Sequence, residues 1–71
     1  MADNGKALAA YHEVVTKYPK HQRAALALYR QALVFIRLKD SKTAGLTLRK
    51  LIAEFPGSSE AAQAKEKLKD L

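Results

Sequence analysis

Apolar residues fill most positions of the stretch from Ala24 to Leu38, where Arg30, Gln31 and Arg37 are the only polar interruptions. A surface helix usually has apolar residues on one side only, whereas a helix that is apolar on most sides is covered by other elements. The pattern therefore predicts a central helix that packs between its neighbours.

A second helix is predicted directly after it. Asp40 and Ser41 carry side-chain oxygens that can accept N–H groups at a helix start. Apolar residues then recur on one face, at Ala44, Leu48, Leu51, Ile52 and Phe55. Pro56 and Gly57 should end this helix, because proline disfavours a helical residue before it and glycine tolerates the turn geometry that follows. We therefore expect a pair of antiparallel helices.

The chain carries an internal repeat, which appears when the sequence is shifted by 37 residues. The aligned pairs are Asp3 with Asp40, Ala7 with Ala44, Tyr11 with Leu48, Val14 with Leu51, Val15 with Ile52, Tyr18 with Phe55, Pro19 with Pro56, Ala24 with Ala61, Ala25 with Ala62 and Ala27 with Ala64. A period of this length indicates stacked supersecondary units, each too small to bury its apolar face alone.

The repeat predicts an all-α fold, an α-solenoid of antiparallel helical hairpins, with no room for a β-sheet. The four expected helices are about Gly5 to Tyr18, Gln22 to Leu38, Ser41 to Phe55 and Ser59 to Asp70. We call the second and fourth helices type A, and the first and third type B, so that the order is B-A-B-A. Residues 1–71 are thus expected to form one domain of about two repeats, the first lacking its A helix.

The fourth helix differs from its counterpart in one respect. Lys65 and Lys69 occupy the positions that Leu28 and Ala32 hold in the second helix. Terminal repeats of solenoids need a polar outer face. We therefore expect the fourth helix to be a cap at the end of the array.

Length and composition exclude several classes of protein. A domain of 71 residues buries only roughly 60% of its unfolded surface, so its stability should be modest. Without cysteine it has neither disulfides nor thiolate metal sites. No run of about 18 apolar residues is present, and the N-terminus lacks a basic stretch followed by an apolar one. The sequence therefore predicts neither a membrane span nor a signal peptide.

The net charge of +6 is concentrated in the middle of the chain, where nine Lys or Arg residues between Lys17 and Lys50 face a single acid, Asp40. Two interpretations stay open: a solvated basic surface, or a patch that attracts acidic peptides, phosphates or nucleic acid. Nucleic acid is the weaker alternative, because no reading module and no aromatic, basic sheet surface is evident.

Candidates for catalysis or metal binding are few. His12 and His21 lie on different predicted elements, with no cysteine and no Glu-x-x-His spacing to complete a metal site, and we interpret both as surface residues. Ser41, Ser58 and Ser59 lie at predicted helix starts and lack a Gly-x-Ser-x-Gly context, so we interpret them as helix caps. We predict no catalytic residue and no metal site.

Gly45 lies in the interior of a predicted helix. Glycine at such a position costs about 1 kcal/mol relative to alanine. We expect a close approach of a neighbouring helix to offset this cost, since no phosphate-binding loop surrounds the residue.

A candidate binding face lies on the second helix. Apolar residues recur there at spacings of three and four, at Leu26, Tyr29, Leu33 and Ile36, and Arg30 and Arg37 flank them, as does Arg23 at the helix start. An apolar groove edged by arginines suits a peptide with apolar anchors and acidic groups, or a C-terminal carboxylate. Alternatively, this face packs against neighbouring helices or a second copy of the chain.

The first helix should have an unmatched side, since a B helix normally lies between two A helices and this one has only the second helix beside it. Its candidate self-association residues are Leu8, Tyr11, Val15 and Tyr18. Large apolar patches are uncommon on monomers, so we expect this face to form a homodimer at high concentration, or to fray.

These features together resemble the tetratricopeptide repeat family, whose hairpins pack large, small and aromatic residues of one helix against small and large residues of the next. The matching residues are Leu28, Ala32 and Phe35, then Ala44, Leu48 and the closing Pro56. Gln31 departs from the pattern, and the period exceeds the usual 34 by three. The resemblance implies a scaffold that binds proteins or peptides without catalysis and without a cofactor, with the Leu26 face in the concave groove.

The longer period is similar to that of the C-terminal domain of the periplasmic coordinator of the Tol-Pal system. Two segments carry this similarity, Lys17-Tyr18-Pro19-Lys20 and Glu54-Phe55-Pro56-Gly57-Ser58, and each leads to an Ala-Ala pair. Similar sequence segments occur in outer-membrane assembly lipoproteins that contain these repeats. The resemblance implies a cell-envelope, periplasmic setting if the chain is part of an exported protein, and a cytoplasmic one otherwise.

Overall fold

A computed structural model describes residues 4–71 of the chain. They form four α-helices: α1 (Asn4–Lys17), α2 (Gln22–Arg37), α3 (Ser41–Glu54) and α4 (Ser59–Lys69). None of the described residues lies in a β-strand. The predicted all-α fold is thus confirmed, and each helix ends one residue before its predicted end. The predicted role of Asp3 in a turn lies outside the described residues.

Side chains that accept backbone N–H groups explain where α3 and α4 begin. Asp40 Oδ1 accepts from the Thr43 N–H at 3.1 Å, and Ser58 Oγ accepts from the Ala61 N–H at 3.0 Å. Ser58 also donates to the Phe55 carbonyl at 2.8 Å, which ties the cap to the end of α3. Asp40 and Ser58 are therefore caps as predicted.

The other two serines are not the capping residues. Ser41 and Ser59 are the first residues of α3 and α4, one position after the caps. The prediction that they cap these helices was wrong, because the capping side chain belongs to the residue that precedes the first helical one.

The cap of α3 is charged and therefore depends on pH. Hydrogen bonds from the side chain and the backbone of Thr43 hold the pKa of Asp40 below its ordinary value. A carboxyl group whose pKa is lower in the folded state stabilises the fold at pH values above its unfolded pKa. This contribution is lost as the pH falls below about 4, where the carboxyl becomes protonated.

The turn between α2 and α3 places a lysine in the left-handed region. Lys39 has a φ of 62°, its N–H donates to the Ile36 carbonyl at 3.0 Å, and the Asp40 N–H donates to the Phe35 carbonyl at 2.9 Å. This pair of bonds is the Schellman motif, which usually has glycine at the left-handed position. Lysine there carries steric strain between its Cβ and the following carbonyl.

Replacing Lys39 by glycine is expected to raise the free energy of unfolding by about 0.5 to 1 kcal/mol, because glycine removes that strain at some cost in chain entropy. Urea denaturation measures the change. Lys39→Ala is the matched control, since it removes the charge but keeps the Cβ, and it should give no such gain. Equal gains in both variants would assign the effect to charge.

The structural reasons predicted for Gly45 and Gly57 do not hold. A Cβ added to Gly45 would lie 3.9 Å from Leu68 Cδ2 and 3.9 Å from Leu71 Cδ1, which is ordinary van der Waals contact. A close helix approach therefore does not require glycine there, and that explanation was wrong. Gly57 has no positive φ, so the turn after Pro56 does not depend on glycine's conformational freedom either.

Packing around α2 organises the fold. Helix α2 contacts α1, α3 and α4, helix α3 lies between α2 and α4, and α1 contacts only α2 among the described helices. The buried core cluster draws on all four helices and consists of Val15, Ala25, Ala27, Leu28, Ala32, Leu48, Leu51 and Ala64. The prediction of a central second helix is confirmed, and so is the single neighbour of the first.

Helix α4 has the polar outer face that the sequence predicted. Lys65 and Lys69 are exposed, whereas Ala61 and Ala64 are buried against the rest of the fold. Since their counterparts in α2 are the buried Leu28 and Ala32, the substitution of lysine at these two positions lets one side of α4 face water.

Candidate functional site

An open groove of about 220 Å³ lies between α1 and α2. Its lining consists of Tyr11 and Val14 from α1 and of Arg23, Leu26, Ala27 and Arg30 from α2. Among the described helices α1 contacts only α2, so the side of α1 that α2 does not cover remains open and forms the groove.

The internal repeat shows how unusual this exposure is within the chain. Tyr11 and Val14 correspond to Leu48 and Leu51 of α3, which are fully buried because α3 packs between two helices. Tyr11 and Val14 pack partly against the core but remain half-buried. The same positions of two equivalent helices thus differ in burial because α1 has no second neighbour among the described helices.

The polar edge of the groove is positively charged. Arg23 and Arg30 are both exposed, and they lie two turns apart on the same side of α2. Neither takes part in an ion pair or a side-chain hydrogen bond among the described residues, whose ion pairs are Lys17–Glu13, Lys50–Glu54 and Lys69–Glu66. Both guanidinium groups are therefore available to a carboxylate.

The predicted ligand-binding residues of α2 occupy two environments. Leu26, which is 38% exposed, and Arg30 line the groove. Tyr29 is half-buried and packs against the core cluster, and Leu33 and Ile36 are also half-buried. Arg37 is the last residue of α2 and is exposed. The structure thus brings Leu26 and Arg30 together with Tyr11, which the sequence assigned to a separate self-association face.

The predicted self-association residues are also divided. Val15 is only 8% exposed and belongs to the core, so it is not on the accessible face of α1. Tyr18 is 57% exposed, and its ring meets that of His21 edge to face at 6.3 Å. Leu8 is half-buried. Of the four residues, Tyr11 alone lines the groove described above.

His21 has a structural role that the sequence did not indicate. Its Nδ1 accepts the Arg23 N–H at 3.0 Å and so caps α2. The imidazole thereby fixes the start of the helix that carries Arg23 and Leu26. His12 is exposed, as expected.

A second groove, of about 410 Å³, lies between α3 and α4. Its lining consists of Ser41, Lys42, Gly45, Leu46, Arg49, Leu68 and Leu71. In the repeat, Gly45 takes the position of Leu8, so a missing side chain contributes to this space. Two features of the sequence could have indicated this groove. Gly45 lies in the middle of a helix, and Leu46 is an apolar residue that does not belong to the apolar face of that helix.

Other classes of site find no support in the described residues. Within residues 4–71 no three potential ligand side chains are grouped closely enough to hold a metal ion. No helix in this range has both the length and the apolar character needed to cross a bilayer.

The central hairpin is similar to a known repeat family. Residues 26–58 match the family model described as Tetratricopeptide repeat, and this segment contains most of α2, all of α3 and the turn that leads to α4. No curated protein and no solved structure matches the chain. The match supports a tetratricopeptide repeat within residues 26–58, and repeats of that family generally mediate protein–protein interactions and are typically non-catalytic. No homologue supports the closer similarity to the Tol-Pal coordinator.

Proposed function

We propose that this chain, with its tetratricopeptide repeat hairpin, is a protein-interaction module that holds a segment of a partner protein against the open face of α2. The observation that carries the proposal is the α1–α2 groove, which combines apolar walls with two unpaired arginines. The proposed contact residues on α2 are Leu26, Tyr29, Arg30, Leu33, Ile36 and Arg37.

Leu26 and Arg30 are the proposed main contacts. A partner's apolar side chain that covers Leu26 and the neighbouring Ala27 removes apolar surface from water, which stabilises the complex by about 25 cal/mol per Å² before the costs of association. The guanidinium of Arg30 can bind a carboxylate through two parallel hydrogen bonds. The partner segment is therefore proposed to combine apolar anchors with acidic groups or with a C-terminal carboxylate.

The setting of the module is a further part of the proposal. The segments around Tyr18-Pro19 and Phe55-Pro56, each followed by an Ala-Ala pair, resemble those of the periplasmic coordinator of the Tol-Pal system. This resemblance favours a partner in a bacterial cell envelope.

A displayed library of random peptides, selected on the immobilised chain, tests the proposal without a known partner. We expect enriched peptides to combine leucine or aromatic anchors with Asp or Glu. Leu26→Ala and Arg30→Ala should each weaken their binding, and the loss for Arg30→Ala should be larger at low salt than at high salt.

Two matched variants on α3 serve as controls. Leu46→Ala and Arg49→Ala remove an exposed leucine and an exposed arginine from the second groove, and they should leave peptide binding unchanged. If the selected peptides depend on Leu46 and Arg49 but not on Leu26 and Arg30, the proposed site is wrong. If no peptide is enriched, the proposed function itself is contradicted.

A further inference from the structure

We infer that the α1–α2 groove accepts an acidic amphipathic helix of a partner protein, docked in the position that a type A helix would take before α1. This inference rests on the proposed function and specifies the conformation and charge of the bound segment. Three observations carry it: the burial pattern of the repeat, the shape of the groove and the charge of every helix in the chain.

The burial pattern shows that, among the described helices, none covers the groove on the side of α1 away from α2. In the hairpin of α2 and α3, the A helix covers the B helix, and the next A helix, α4, contacts both of them. By the same register, an A helix ahead of α1 would contact α1 and α2, which are the two helices that line the groove. Such a helix would cover Tyr11 and Val14 of α1, just as α2 and α4 cover the equivalent Leu48 and Leu51 of α3.

The side of α2 that lines the groove is also uncovered. Arg23 and Arg30 correspond to Glu60 and Lys67 of α4 in the repeat. Glu60 and Lys67 are half-buried, because α4 packs against a preceding A helix, whereas Arg23 and Arg30 are exposed. Two independent helices, α1 and α2, therefore both lack the cover that their counterparts have.

The groove favours a helix over an extended segment. An extended peptide commonly gains its affinity from the free edge of a sheet, and the described part of the chain has no strand to offer one. A helix satisfies its own backbone hydrogen bonds and needs only an apolar stripe to fill a groove between two helices. Ala27 at the base of the groove leaves space for such a stripe to approach.

The charges select an acidic partner over a second copy of this chain. Each of α1, α2, α3 and α4 carries more Lys and Arg residues than Asp and Glu residues. Any helix of a second copy would thus bring net positive charge to Arg23 and Arg30, which costs energy at a desolvated interface. A helix with carboxylates beside its apolar stripe would instead form ion pairs with both arginines.

The probes for the test are synthetic peptides of about 15 residues, the length at which isolated helices become marginally stable. The first has leucines at helical spacing flanked by glutamates. The second replaces each glutamate by lysine, the third places proline at its centre, and the fourth is a scrambled version with the same composition. Fluorescence anisotropy measures their affinities, and circular dichroism measures the helicity gained on binding.

We expect only the first peptide to bind well and to become helical, with an affinity at least about tenfold above that of the other three. Val14→Asp and the double variant Arg23→Ala/Arg30→Ala should each lower this affinity by about tenfold or more. The double variant changes two exposed side chains only, so it remains informative if Val14→Asp fails to fold. Lys42→Ala/Arg49→Ala is the control with the same loss of charge, because both side chains are exposed and line the second groove.

Several results would overturn the inference. Equal binding of the proline and scrambled peptides, sensitive to Leu26 and Arg30, would leave the proposed function intact and exclude the helical mode. Equal binding of polyglutamate would assign the interaction to charge alone. Concentration-dependent dimerisation that Tyr11→Asp abolishes would identify a second copy as the occupant. No binding of any acidic or apolar peptide would contradict the inference and the proposed function together.

Discussion

Replacing Leu48 by alanine is expected to lower the free energy of unfolding by about 2 to 5 kcal/mol. Leu48 is fully buried in α3, between α2 and α4, so the truncation leaves a cavity that the surrounding helices can fill only in part. A chain of this length is expected to have a total stability on the order of 5 kcal/mol. The variant should therefore be largely unfolded at temperatures where the parent chain is folded.

The matched control for this prediction is Leu46→Ala, because Leu46 lies on the same helix and is 59% exposed. It should change the free energy of unfolding by no more than about 0.5 kcal/mol. Urea denaturation of the two variants beside the parent chain measures the difference. Similar losses for Leu46 and Leu48 would show that α3 does not present the face described here to its neighbours.

Replacing Ala32 by leucine is expected to destabilise the fold by about 1 to 3 kcal/mol. Ala32 on α2 and Ala44 on α3 both have no exposed surface, so additional methylene groups at either position must displace a helix or force a side chain off its rotamer. Ala44→Leu should have an effect of the same size. The expected result is a lower thermal midpoint in both variants.

Ala53→Leu is the corresponding control, since Ala53 is an exposed alanine of α3. It adds the same atoms without crowding a helix contact, and the midpoint should change little. If Ala32→Leu and Ala44→Leu also leave the midpoint unchanged, the helices pack differently from the arrangement described here.

The helices were predictable because three independent signals agree on them. The 37-residue register, the two prolines after aromatic residues and the capping side chains of Asp40 and Ser58 all mark the same boundaries. Where such signals coincide, local preference and packing favour the same structure. Two boundaries were harder to predict because each has an unusual residue. Histidine is not a preferred helix cap, and lysine is not preferred in the left-handed region, so the roles of His21 and Lys39 are set by the geometry of the turns.

The composition of the groove was only partly predictable. Val14 and Val15 are adjacent and both apolar, so periodicity alone does not decide which of them faces α2. In the structure Val15 is buried in the core and Val14 lines the groove, whereas in α3 their counterparts show the reverse, with Leu51 fully buried and Ile52 half-buried. The open side of α1 accounts for the exposure of Val14, whereas a small rotation of α1 relative to α3 would account for the deeper burial of Val15. Such rotations are set by packing.

Amide hydrogen exchange, with and without the acidic helical peptide, tests most directly the central claim that α1 has one side open to a docking helix. At concentrations where sedimentation shows a monomer, the amides of Val14 and Val15 should exchange faster than that of Leu33, because α1 has a single neighbour. Saturating peptide should slow exchange at Val14 and Val15 and leave Leu33 nearly unchanged. Protection of Val14 and Val15 equal to that of Leu33 in the free monomer, with no response to the peptide, would contradict the claim.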